Sequence, residues 1–115
     1  RAKGFFWLVN RPNYVGQVSQ AGAFVRHQGA GRWWASVQKE RWPRDEKFLK
    51  MIAQHWQAGI GDRRQEIVFI GLKSVFQQDE ITRCLDECLV HEYSIEKEPL
   101  PYENDPFPAW FQGEN

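Results

Sequence analysis

The sequence predicts an α+β fold, a two-layer sandwich in which a mostly antiparallel sheet of about four strands carries two helices on one face. Residues 4–9 and 67–72 are short apolar runs rich in aromatic and β-branched residues, which is typical of buried strands. Two other stretches repeat apolar residues at helical spacing. Turn-forming residues separate these segments, and the predicted order is therefore β-β-β-α-β-α.

The first half of the chain contains the predicted meander. Residues 4–9 form its first strand, and a dense group of turn-forming residues ends it. Residues 15–28 follow, either as one long strand bent at Gly22 or as two short strands that flank this glycine. Residues 32–37 are predicted to form the last strand of this meander. Because successive strand side chains point to opposite faces, Trp33 and Trp34 cannot both enter one core layer.

The second half contains the helices. Asp45 is a candidate cap for the first helix and Asp79 for the second. Between the two helices we expect a strand at residues 61–72 that is buried on both faces. The apolar stripe of the first helix consists of Phe48, Met51, Ile52, His55 and Trp56. That of the second consists of Ile81, Cys84, Leu85, Cys88 and Leu89.

The chain ends in a polar, acidic and proline-rich stretch. We expect residues from about 94 to 115 to form an extended tail that Phe107 and Trp110 attach to the domain. Residues 1–115 are long enough for one domain. The first residue is Arg1 rather than Met, so we expect a fragment of a longer chain.

Charge and hydropathy exclude several function classes. Fifteen basic and fifteen acidic residues cancel, so we expect neither a nucleic acid nor an anionic membrane as a partner. The sequence has no apolar run of the ~18 residues that a membrane span needs and no secretory leader. Cysteines four positions apart on one helix favour reduced thiols, and we expect a cytoplasmic protein.

Catalytic chemistry has little support in the sequence. A glycine-rich phosphate-binding loop between a strand and a helix is absent, and the three histidines and two cysteines show no dyad spacing. Cys84, Cys88 and His91 would project from one side of a helix and could ligate zinc or copper. Packing of the cysteines in the core is the other interpretation, which we favour because no C-x-x-C pair or fourth ligand is present and cysteine is among the most buried residue types. We therefore predict a domain that is not an enzyme.

Interaction residues are sought among the tryptophans and in a charged cluster. Six tryptophans indicate either a core of large rings or a docking face, for which Trp7, Trp33 and Trp34 are the candidates. The charged cluster, at residues 62–66, either fixes a loop through ion pairs or contacts a partner. Its candidate residues are Asp62, Arg63, Arg64 and Glu66.

Several ordered strings resemble the C-terminal domain of the CobW family, and together they span nearly the whole chain. They are Arg1-Ala2-Lys3-Gly4-Phe5-Phe6-Trp7-Leu8, Gln20-Ala21-Gly22, Gly31-Arg32-Trp33-Trp34-Ala35, Trp42-Pro43, Gly61-Asp62-Arg63-Arg64-Gln65-Glu66 with residues 67–71, and Asp105-Pro106-Phe107-Pro108-Ala109-Trp110. The resemblance implies a parent P-loop GTPase, a cobalamin-synthesis protein or metallochaperone of zinc homeostasis. GTP, Mg and Zn or Co would bind in its other domain, so this fragment would itself need no cofactor.

The same resemblance implies an interaction or regulatory domain. Its partners would be its own GTPase domain, a partner subunit or a client metalloprotein. Such domains usually open with a further strand and helix; their absence here would leave an open sheet edge and favour a homo-oligomer. Similar proteins carry Leu-Thr where this chain has Val90-His91, so the trio of Cys84, Cys88 and His91 is not a family signature.

Overall fold

The structure is a computed structural model that describes residues 1–90 and 105–111. Four antiparallel strands form one sheet in the order β3-β2-β1-β4. The strands are β1 (Ala2–Leu8), β2 (Arg11–Ala21), β3 (Phe24–Arg32) and β4 (Glu66–Phe69). The helices are α1 (Glu46–Gln54) and α2 (Gln78–Glu87). The predicted α+β class and element order are confirmed.

The two-strand interpretation of residues 15–28 is the correct one. Gly22 has φ of 60°, a conformation that glycine adopts without strain, and lies in the turn that joins β2 to β3. The meander is therefore complete at Arg32. The predicted strand at residues 32–37 is wrong, because a short 3₁₀ helix at Trp34–Ser36 follows instead.

The predicted strand at residues 61–72 is also wrong in its length and burial. Only Glu66–Phe69 is strand, and within the described residues it is an edge strand that pairs with β1 alone. Val68 is 59% exposed and Ile70 is 69% exposed. The apolar run therefore marks an uncovered edge rather than the centre of the sheet.

The two helices begin differently. Asp45 caps α1 as predicted, since its carboxylate accepts a hydrogen bond from the backbone N–H of Lys47. Asp79 does not cap α2, because it lies inside the first turn and Gln77 occupies the cap position without a side-chain bond. At Asp79 the carboxylate still lies near the positive end of the helix dipole.

The alternation of side chains separates the two faces of the sheet. One face carries the row Phe6, Gly16 and Gly29, which are cross-strand neighbours. The other carries the row Lys3, Ser19 and Arg26, all exposed. Residues 105–111 return to the first face, where Phe107 and Trp110 contact Phe6, so the predicted attachment of the tail is confirmed. Residues 94–104 lie outside the described part of the chain.

Candidate interaction site

Asp62 and Arg63 form the structural centre of one end of the sheet. The Asp62 carboxylate is buried and accepts the backbone N–H groups of Trp34 and Ala35, each at 2.9 Å. These bonds satisfy N–H groups at the start of the 3₁₀ helix, as a capping residue does. The two N–H donors take the place of the water molecules that would hydrate an exposed carboxylate. Asp62 therefore orients the segment that follows β3.

Arg63 binds backbone carbonyl groups, whereas Asp62 binds backbone N–H groups. Its side chain is buried and donates from Nε to the Pro12 carbonyl at 2.6 Å and from Nη1 to the Ile60 carbonyl at 3.0 Å. A third bond runs from Nη2 to Asn13 Oδ1 at 3.3 Å. The planar fork of arginine suits such divergent acceptors. Asp62 and Arg63 thus join the loop before β4 to the segments that begin β2 and follow β3.

Between the two open interpretations of the charged cluster, the structure favours loop fixation for Asp62 and Arg63. Both side chains contribute to this fixation through hydrogen bonds to backbone groups. An ion pair does join Arg64 Nη2 to Glu66 Oε2 at 3.1 Å, at the surface. Contact between Arg64 or Glu66 and a partner stays a prediction.

Aromatic rings pack together beside this centre. Trp33 is 4% exposed, and its backbone N–H bonds the Asn13 carbonyl at 3.1 Å. Trp34 packs edge-on against Phe48 of α1, with ring centroids 5.2 Å apart. The indole N–H of Trp42 donates to the Trp34 carbonyl at 3.2 Å. The interpretation of the tryptophans as core rings therefore holds for Trp33, which is buried, whereas Trp34 is half-buried against Trp42 and Phe48.

Trp7 borders an apolar groove of about 550 Å³. The Gln65 side chain accepts a hydrogen bond from the Trp7 N–H and donates one to the Trp7 carbonyl, both at 2.9 Å. It thus makes the two backbone bonds that a neighbouring strand would make. The lining residues are Trp7, Leu8, Val9, Gln57, Ile60, Arg63, Arg64, Gln65, Cys88, Leu89 and Val90. Trp7 is half-buried, so its predicted role in an interaction also stays a prediction.

The opposite end of the sheet carries exposed apolar side chains, which we call the apolar end. Its six residues come from the β2–β3 hairpin, from β4 and from the loop after β4. Their exposed fractions are Phe24 80%, Val25 61%, Val68 59%, Ile70 69%, Leu72 74% and Val75 70%. The backbone nitrogen of Arg1 donates to the Ile70 carbonyl at 2.8 Å. Phe24 and Val25 lie on β3 and the other four residues on β4 or the loop after it, so the exposed apolar side chains flank the end of the sheet at its two edge strands. Large exposed apolar side chains on a small domain are candidates for an interaction site.

Sequence reasoning missed the apolar end. It assigned residues 67–72 to a buried strand and gave Phe24 and Val25 no role. One signal was available: Val75 continues the apolar series beyond the length of an ordinary strand.

The cysteines correct a further prediction. Cys84 and Cys88 are both exposed, so the expectation that they pack in the core is wrong. Within residues 1–90 and 105–111 no three histidine, cysteine or acidic side chains converge to hold a metal, and His91 lies outside these ranges. The metal-binding alternative therefore has no support. Nor does any helix in these ranges have the length and apolar character that crossing a bilayer requires.

The comparisons with known proteins agree with the resemblance. A family model described as the cobalamin synthesis protein cobW C-terminal domain matches residues 1–89. Zinc-regulated GTPase metalloprotein activator 1 from Dictyostelium discoideum is 34% identical over 88 residues, which are 74% of this chain and 18% of that protein. The chain therefore spans less than a fifth of the length of this relative. No solved structure matches the chain.

Proposed function

Because this chain belongs to the cobalamin synthesis protein cobW C-terminal domain family, we propose that it is the non-catalytic docking domain of a GTP-dependent metal chaperone. The name of the Dictyostelium relative supports the GTPase and the metalloprotein in this proposal. Nucleotide hydrolysis would belong to the GTPase domain of the parent protein. The task of this chain would be to hold that domain through the apolar end.

The apolar end is the observation that carries the proposal. Side chains such as Phe24, Ile70 and Leu72 are each more than two thirds exposed, and burying one of them fully stabilises an interface by roughly 1.5–3 kcal/mol. Burial of apolar surface is the dominant favourable term in most protein–protein association. The Arg1 backbone lies beside Ile70, so a chain that continued upstream would leave the domain at this surface.

Hydrogen exchange tests the proposal directly. The chain alone is compared with the chain inside the full-length protein that its gene encodes. We expect the amides at residues 24–25 and 68–75 to exchange more slowly in the full-length protein than in the chain alone, because a docked domain adds to the protection that the strands already give. Equal exchange in both, or a gene that encodes no GTPase domain, would contradict the proposal.

A binding experiment identifies the partner. We expect Ile70→Ser/Leu72→Ser to weaken binding to the separately expressed GTPase domain by at least about tenfold, because two apolar anchors are lost. The matched control is Leu49→Ser/Met51→Ser on α1, which alters two exposed apolar side chains away from this surface. Loss of binding to the client metalloprotein alone, with the GTPase domain still bound, would assign the surface to the client instead.

A further inference from the structure

Residues 105–111, the C-terminal segment, are attached to the sheet around one buried arginine. Arg11 is 9% exposed; its Nε donates to the Asp105 carboxylate and its Nη2 to the Phe107 carbonyl, both at 2.5 Å. The guanidinium carbon also lies 4.4 Å from the centroid of the Trp110 ring. A charge-assisted bond, a carbonyl contact and a cation–π contact thus converge on a single side chain.

The sheet provides a surface shaped for rings. A Cβ atom added to Gly29 would lie 2.6 Å from Phe111 Cζ and 2.7 Å from Trp110 Cβ. Gly16, its cross-strand neighbour, likewise lies directly under the ring of Phe6. The missing side chains leave a depression in the sheet, which we call the trough. It is formed by Phe6, Arg11, Tyr14, Gly16, His27 and Gly29.

Only part of the C-terminal segment enters the trough. Phe107 contacts His27 edge-on at 4.8 Å, and Phe111 contacts Tyr14 at 5.3 Å between centroids. Pro106, Pro108 and Ala109 are exposed instead. Anchors separated by solvent-facing residues, with prolines that reduce the entropy lost on binding, are typical of a linear peptide in a recognition groove.

The C-terminal segment lies beyond the residues that the family model matches, although it contains one of the strings that resemble the family. The family model ends at residue 89, whereas the segment begins at Asp105. Its contacts join residues that are distant in the chain, such as Arg11 and Asp105, which are 94 positions apart. The segment therefore fills the trough from a distant position in the chain, as a peptide ligand fills its site.

We propose that the trough is a peptide-binding site for a partner protein, and that residues 105–111 are its resident, exchangeable occupant. The partner segment carries the chemistry Asp-x-Phe-x-x-Trp-Phe, in which the carboxylate pairs with Arg11 and the rings cover Gly29. Binding in trans requires release of the chain's own segment, so the segment sets the affinity that a partner must exceed. This proposal is independent of the apolar end and of the GTPase domain.

The test is fluorescence anisotropy with a labelled peptide of residues 105–111 and the full chain. Asp105→Asn/Trp110→Ala loosens the resident segment, and this variant is expected to bind the peptide about 100-fold more tightly than the native chain, where the chain's own segment competes for the trough. Arg11→Gln in the loosened chain is expected to weaken binding at least about tenfold. Arg26→Gln, on the opposite face, is the matched control and leaves binding unchanged.

Circular dichroism establishes that each variant is folded. If the loosened chain does not fold, nuclear magnetic resonance of the isotope-labelled native chain replaces it. Millimolar unlabelled peptide is then expected to move the amide signals of Phe107 and Ala109 to their unbound positions.

Three results would overturn the proposal. The first is a folded, loosened chain that does not bind the peptide, or native signals that stay in place. The second is equal binding by the Arg11→Gln and control variants. The third is a native dimer, detected by light scattering, that exchanges its segments and excludes the peptide, because a second copy would then be the occupant.

Discussion

The two ends of the sheet use charged and apolar residues in opposite ways. At one end, Asp62 and Arg63 are buried and bond five backbone or side-chain groups of the same chain. At the other, Phe24 and Ile70 remain 80% and 69% exposed. At the first end Asp62 and Arg63 bond to groups of the same chain, whereas the second end leaves apolar side chains in water.

This difference separates stability from recognition within one small domain. Buried polar groups stabilise a fold only when all their partners are present, so the Asp62 end is sensitive to any change. Exposed apolar residues contribute little to the isolated fold and much to an interface. Substitutions at the two ends should therefore affect different measurements.

The largest effect is expected at Trp33. Trp33→Ala removes a ring that is 4% exposed, and loss of packing around the resulting cavity should lower the free energy of unfolding by about 3–5 kcal/mol. Urea unfolding followed by circular dichroism measures the change. Trp56→Ala is the control, since this ring is 41% exposed and should cost clearly less. Equal losses would show that the two rings are packed alike.

Asp62→Ala should have the next largest effect. It leaves the N–H groups of Trp34 and Ala35 without their acceptor, and we expect a loss of about 2–4 kcal/mol in the free energy of unfolding. Glu66→Ala, which breaks only the exposed pair with Arg64, should cost less than about 0.5 kcal/mol. The same urea titration measures both. A loss at Asp62 no greater than that at Glu66 would contradict its structural role.

Local patterns predicted the elements whose causes are local. The alternation of turn residues and apolar runs identified β1, and helical periodicity with an Asp45 cap identified α1. These features depend on contacts between residues that are close in the chain, and a local sequence pattern includes all of those residues. The overall α+β order followed from them.

The errors have causes that are distant in the chain. Trp34 lies in a 3₁₀ helix because Asp62, 28 positions away, holds its backbone N–H, and this bond overrides the strand preference of consecutive tryptophans. Residues 67–72 were predicted to be buried because apolarity alone does not distinguish a covered strand from an exposed edge strand. Burial of Arg11 likewise depends on Asp105.

A smaller effect is expected at the trough. Gly29→Val places a side chain where Phe111 and Trp110 lie, and should displace the C-terminal segment while β3 stays paired. We expect a loss of about 1–2 kcal/mol in the free energy of unfolding. Ala30→Val, at an exposed neighbouring position, is the matched control. Hydrogen exchange at residues 105–111 measures displacement, and unchanged protection in the Gly29 variant would contradict the predicted clash.

The smallest effect on stability is expected at the apolar end. Ile70→Ser/Leu72→Ser should change the free energy of unfolding by less than about 0.5 kcal/mol, because these side chains are 69% and 74% exposed and lose little packing. Ile52→Ser is the matched contrast: this side chain is 3% exposed, and burying a hydroxyl in its place should cost at least about 2 kcal/mol. Light scattering of the isolated chain should also show less self-association in the double variant, since apolar surface is removed. A large loss of stability in the double variant, comparable with that of Ile52→Ser, would show that the apolar end is part of the core and would remove the contrast between the two ends.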